Sequence, residues 1–110
     1  MPIDGIGFQH HTTGKDAPSP ARLRALFRAA AGIGLSAAIT EMDVGSTDPA
    51  RQAHVFGAAA HVCASAPNCT SVTIWGITDR WSWLGPEAEA LPYDEDGKRK
   101  PAAAALEQKR

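Results

Sequence analysis

Apolar and polar positions along the chain repeat one pattern, a short apolar run followed by a longer amphipathic one. Residues 3–9, IDGIGFQ, form a glycine-rich apolar run bounded by polar residues, which predicts a strand. SPARLRALFRAAAG then offers Ser19 as N-cap, Pro20 at the first helical position and Gly32 just past the end. Leu23, Leu26, Phe27 and Ala30 fall on one face of that helix. LSAAITEMDV (35–44) reads as the second strand, and DPARQAHVFGAAAHVCASA repeats the cap-plus-proline start with Asp48 and Pro49. TSVTIWGIT (70–78) is the third strand, and KPAAAALEQKR closes the chain as a proline-started, alanine-rich helix.

Ile6, Ile39 and Ile74 sit 33 and 35 residues apart, about what βαβ units with right-handed crossovers occupy. The expected fold class is therefore α/β, with parallel strands and helices outside, in a doubly wound sheet or a (β/α) barrel. Three strands complete neither, and a full (β/α)8 barrel takes about 250 residues. The chain reads as one structural unit over residues 1–110, a piece of a larger α/β domain, with Met1 expected to open a truncated reading frame.

Composition narrows the partners. Eleven basic and 12 acidic side chains give a formal net charge of −1, with no footprint for nucleic acid or an anionic membrane. No apolar run approaches the roughly 18 residues of a membrane span, and MPIDGIGFQHH has neither the basic nor the apolar region of an export signal. Two cysteines without clustered histidines argue against zinc, and no cofactor is expected. Cys63 and Cys69 enclose five residues with Pro67 in the turn, and the sequence alone leaves free thiols and a bridge both open. His54 and His61 lie on the second helix, facing solvent, and YDEDGKRK reads as an exposed turn at Gly97.

In both α/β architectures the working residues stand at the C-terminal ends of the strands. Polar residues gather there: Gln9, His10 and His11, then Glu41 and Asp43, then Trp75 and Asp79. Singly, such residues are usually satisfied polar groups or caps. Alternation, however, puts Gly7, Gln9 and His11 on one face and Glu41 and Asp43 on one face. If both face inward, one mouth collects two carboxylates, an imidazole and an amide. A Glu held ionised by a neighbouring His is equipped as a nucleophile, and a carboxylate behind that His fixes its tautomer. Trp75, Trp81 and Trp83 within nine residues offer apolar faces suited to stacking on sugar rings.

PIDGIGFQHH, AITEMDV, CASAPNC with TSVTIWGITDRWSW, and LPYDEDGKRKPAAAAL, in this order and spacing, resemble the C-terminal portion of glycoside hydrolase family 10 endo-1,4-β-xylanases over nearly the whole chain. The resemblance implies a secreted, retaining glycosidase on a (β/α)8 barrel acting on xylan or xylo-oligosaccharides, with this chain as the sixth to eighth βα units. It makes Glu41 the nucleophile, His11 its hydrogen-bond partner and Asp43 the residue that orients His11. Gln9, Trp75 and Trp83 become substrate-binding residues, and Cys63–Cys69 a disulfide. The family's acid/base Glu lies on the fourth strand, outside this sequence, and the chain alone is expected to be inactive. Asp43 is no substitute, because residues i and i+2 project the same way about 6.6 Å apart. Where the family has a small residue, an Arg and a tail Tyr, this chain has His10, Leu84 and no matching Tyr. Two other readings stand beside the xylanase: a barrel hydrolase for another β-glycan, and a non-catalytic carbohydrate-binding piece. The open barrel edges also imply self-association.

Overall fold

The computed structural model describes residues 2–108. Strand β1 spans Gly5–Thr13, helix α1 Pro20–Gly32, strand β2 Ser36–Gly45, helix α2 Pro49–Ser65 and strand β3 Cys69–Ile74. Two single 3-10 turns, Asp79–Trp81 and Pro86–Ala88, precede helix α3, Pro101–Leu106. The predicted closing helix thus ends sooner, and its last two positions, Lys109 and Arg110, lie outside the described residues, as does Met1.

The helix starts form as the capping chemistry dictates. Ser19 Oγ accepts from the Arg22 amide at 3.2 Å, and Asp48 Oδ1 accepts from the Ala50 and Arg51 amides at 3.1 and 3.2 Å. The end of α1 differs from expectation: Gly32 is still helical, and the turn is made by Gly34 at φ +80°. The Leu35 amide reaches the Ala30 carbonyl and the Gly34 amide the Ala31 carbonyl, a pairing that needs a left-handed residue at Gly34.

The three strands are parallel and lie in sequence order, β1-β2-β3. A doubly wound sheet reverses its order at a switch point. Sequential order with right-handed crossovers instead keeps the helices on one side of the sheet, as in an arc of a barrel. Leu23 and Phe27 of α1, Ile39, Met42 and Val44 of β2 and Phe56 of α2 form the buried layer between sheet and helices. Strands β1 and β3 are the edges of the sheet, and Ile3, Ile6 and Ile77 are exposed.

The end of β1 shifts toward the mouth and that of β3 away from it. β1 runs to Thr13 rather than residue 9 because it pairs with β2 out to Thr13 and Gly45. Gln9, His10 and His11 are therefore within the strand, and β3 stops at Ile74, with Trp75 just beyond. One irregularity governs the site. Phe8 pairs with Ile39 but Gln9 pairs with Glu41, so Thr40 is an extra residue absorbed as a β-bulge. Ile39 and Met42, three apart, consequently both enter the helix-side core, leaving Glu41 and Asp43 to the opposite face. Gly7 is required opposite the bulge, since a Cβ there would stand 2.6 Å from Thr40 Cγ2.

Candidate active site

Glu41, Asp43, Gln9 and His11 meet on the face of the sheet turned away from the helices. His11 lies between the two acids: its Nε2 is 3.0 Å from Glu41 Oε2 and its Nδ1 3.0 Å from Asp43 Oδ2. Gln9 Nε2 donates to the other Glu41 oxygen, Oε1, at 3.1 Å. The register makes this possible, because Gln9 pairs with Glu41 and His11 with Asp43 across the parallel ladder. The sequence expectation that these four residues share one mouth is what the structure shows.

Electrostatics follow from the sandwich. Partial desolvation pulls His11 down, but the hydrogen bonds to Glu41 and Asp43 and their charges outweigh it, so its pKa is raised above 6.5. The neighbouring His10, on the opposite face and nearly buried, is pushed below 6.5 chiefly by burial. The two adjacent imidazoles therefore favour opposite charge states. His11 presents an imidazolium that steadies a Glu41 carboxylate while Asp43 fixes the ring.

Aromatic side chains wall the cluster on the β3 side. Trp75 and Trp83 approach His11 edge-on, with ring centroids 6.5 and 5.2 Å away. Trp83 Nε1 also donates to Asp43 Oδ2 at 2.7 Å, a contact that spacing alone does not announce. Trp81 takes no part in this wall: it sits on the first 3-10 turn, 82% exposed. A groove of about 750 Å³ bounded by Thr13, Lys15, Asp48, Arg51 and Glu87 lies over the loops that follow β1 and β2.

The loop carrying Trp83 is fixed from below. Asp79 is buried, accepts from the Leu91 amide at 2.8 Å and pairs with Lys100 Nζ at 3.0 Å. Lys100 Nζ also reaches the Glu89 carbonyl at 2.8 Å, and Gln52 Nε2 of α2 donates to that same carbonyl and to Val44 O at 2.9 Å. Sequence reasoning missed Gln52. Its place in the spacing 52, 55, 56, 59 of buried α2 residues was the available signal.

At the other end of the sheet Cys63 and Cys69 form a disulfide between α2 and the start of β3. His54 and His61 are exposed on α2, and the turn at Gly97 is exposed with φ +77°, both as expected. Among the described residues no group of three or more His, Cys, Asp or Glu is arranged to hold a metal ion, and no helix is long and apolar enough to cross a membrane.

The sequence-family model described as "Glycosyl hydrolase family 10" matches residues 1–109. An endo-1,4-beta-xylanase B of Neocallimastix patriciarum is 34% identical over 107 residues, 96% of this chain and 12% of that protein. The native xylanase 10B of Thermotoga maritima superimposes with a TM-score of 0.85 at 33% identity, over 96% of this chain and 36% of its own. Xylanase 10B of Thermotoga petrophila RKU-1, solved in complex with xylobiose, gives a TM-score of 0.85 at 33% identity over 96% and 35%. The chain thus spans about a third or less of the length of each of these three relatives.

Proposed function

The chain belongs to glycosyl hydrolase family 10, and its fold is part of that family's barrel; from this premise we propose that it carries the nucleophile side of a retaining endo-1,4-β-xylanase site. The observation that supports the reading is Glu41 held by Gln9 at 3.1 Å and by His11 at 3.0 Å, with Asp43 behind His11. Two donors on one carboxylate aim it and leave a lone pair for the anomeric carbon.

In this proposal Glu41 attacks the anomeric carbon and expels the leaving-group oxygen, forming a covalent glycosyl-enzyme that water then hydrolyses. His11 lends positive character beside Glu41, and Asp43 holds the imidazole ring in place. Trp75 and Trp83 stack against the sugar on the glycone side, and Gln9 adds an amide at the cleavage point. The substrate class is xylan and xylo-oligosaccharides, which the xylobiose held by the Thermotoga petrophila relative supports. The disulfide fits a secreted protein working in an oxidising setting.

Retaining chemistry needs a second carboxyl group about 5 to 5.5 Å away across the bond, acting as acid and then base. Asp43 is committed to His11 and Trp83 and lies on the same strand as Glu41, so it does not flank the bond. The acid/base partner belongs to barrel units outside these three, the chain being the sixth to eighth, and its protonation of the leaving group is worth roughly 10² to 10⁴ in rate. The isolated chain is accordingly inactive.

The test is a chimaera in which residues 2–108 replace the matching stretch of the Thermotoga maritima xylanase. We expect it to release xylo-oligosaccharides from xylan in preference to products from cellulose or mannan, to lose turnover in Glu41→Gln, and the isolated chain to release none. A folded chimaera without turnover, or turnover that survives Glu41→Gln, overturns the proposal. Release of xylo-oligosaccharides by the isolated chain, abolished by Glu41→Gln, overturns its inactivity.

A further inference from the structure

We infer that Trp83 is a positioning residue as well as a wall of the site: its indole N–H clamps Asp43, and through Asp43 it sets the orientation of His11. The inference rests on the nucleophile reading of Glu41 and extends it by one link, out to the loop that follows β3.

The argument is one of hydrogen-bond accounting around a single oxygen. Asp43 is fully buried, and both donors it receives fall on Oδ2: Trp83 Nε1 at 2.7 Å and His11 Nδ1 at 3.0 Å. Its other oxygen, Oδ1, is buried with no hydrogen-bond partner among the described residues. A carboxylate free to choose would spread two donors over two oxygens. Holding both on one oxygen requires each donor to be placed by something other than the carboxylate. For His11 that support is β1 and the bond to Glu41 Oε2 at 3.0 Å. For Trp83 it is the loop pinned by Asp79, which accepts from the Leu91 amide and pairs with Lys100.

Indole N–H can only donate, so Trp83 fixes Oδ2 as an acceptor. An oxygen occupied in this way accepts its second hydrogen bond from His11 Nδ1–H, which leaves Nε2–H directed at Glu41. The Trp83 ring also approaches His11 edge-on at 5.2 Å, so the same residue limits the tilt of the imidazole. Charged groups facing His11 are Glu41 and Asp43 from β2, with His10 beside it on its own strand. A sugar stacked on Trp83 therefore presses on the residue that orients the nucleophile's partner.

Nuclear magnetic resonance on the whole chain, with labelled indole and imidazole nitrogens and no substrate, tests this independently of the chimaera. The Trp83 Nε1–H signal is expected downfield of that of exposed Trp81, to exchange more slowly with water, and to shift with the His11 titration. In Trp83→Phe, Asp43 has one donor fewer, interacts more strongly with the imidazolium, and the His11 midpoint rises by about half a pH unit. In an Asp43→Asn background the same substitution leaves the midpoint in place. A Trp83 signal that behaves like that of Trp81, or an unmoved midpoint in Trp83→Phe, overturns the inference. Should Trp83→Phe fail to fold, the signals of the unsubstituted chain decide. The role of Glu41 stands or falls with the chimaera, not with this experiment.

Discussion

Ile39 and Glu41 lie two residues apart on one strand and yet face opposite sides of the sheet. Ile39 is fully buried under the helices, whereas Glu41 meets Gln9 and His11 on the other face. Strict alternation forbids this, and Thr40, the extra residue of the bulge, permits it.

The bulge makes opposite predictions for two single-residue changes in length. Deleting Thr40 restores regular alternation with Ile39 outward and Glu41 inward, so the raised His11 pKa survives. Inserting one alanine after Thr40 also restores alternation but slips β2 along the ladder, so that Glu41 comes opposite His11 rather than Gln9 and Asp43 opposite Thr13. Glu41 then loses Gln9 and His11 loses Asp43, so the His11 pKa falls back toward 6.5. Denaturant unfolding and the His11 titration measured on both variants check the pair.

Stability has a pH signature of two opposing histidines. The His11 pKa is raised above 6.5, so its ion pairs contribute fully below that value and are lost as pH rises through the folded-state pKa. The His10 pKa is lowered, so its neutral burial is favourable above 6.5 and stability falls as pH drops from there toward the folded-state pKa. His11→Asn is expected to remove the alkaline-side loss and His10→Ser the acid-side loss. Unfolding midpoints across pH about 5 to 8 measure both.

Gln52 joins α2 to the mouth through two backbone carbonyls, Val44 O and Glu89 O. Gln52→Ala takes this donor from Val44 O and leaves Lys100 alone on Glu89 O, and a loss of about 1–3 kcal/mol is expected by thermal unfolding. Gln52→Glu fares no better, since a carboxylate cannot donate to a carbonyl.

Reducing the Cys63–Cys69 bridge frees a short loop of six-residue separation. Such a closure is worth about 2 kcal/mol, and the free energy of unfolding is expected to fall by that amount in reductant. Because the bridge sits at the N-terminal end of β3, the Trp83 indole signal should be unchanged in the folded, reduced chain.

The sequence announced the helices well because their signals are local. Ser19–Pro20 and Asp48–Pro49 each place a side-chain acceptor and a fixed φ where the helix begins, and nothing distant competes. Strand ends are set by partners instead. Gly5–Thr13 extends as far as β2 offers hydrogen bonds, which no window around residue 9 contains. The cluster of Gln9, His11, Glu41 and Asp43 was legible from parity, although the parity that holds in the folded chain depends on the bulge at Thr40. The Trp83–Asp43 bond links residues 40 apart and depends on a loop held by Asp79 and Lys100, so it could be seen only once the chain was folded.

That loop ends at a single main-chain oxygen. The carbonyl of Glu89, a residue with φ +48°, receives Gln52 from one helix and Lys100 from the start of another. A joint made through a carbonyl does not read the side chain it belongs to. Position 89 is therefore free to change its chemistry, provided the replacement tolerates a left-handed backbone, as glycine or asparagine does. Positions 52 and 100 have no such latitude. The rim of the mouth can vary in charge and size while its framework stays where the two donors hold it.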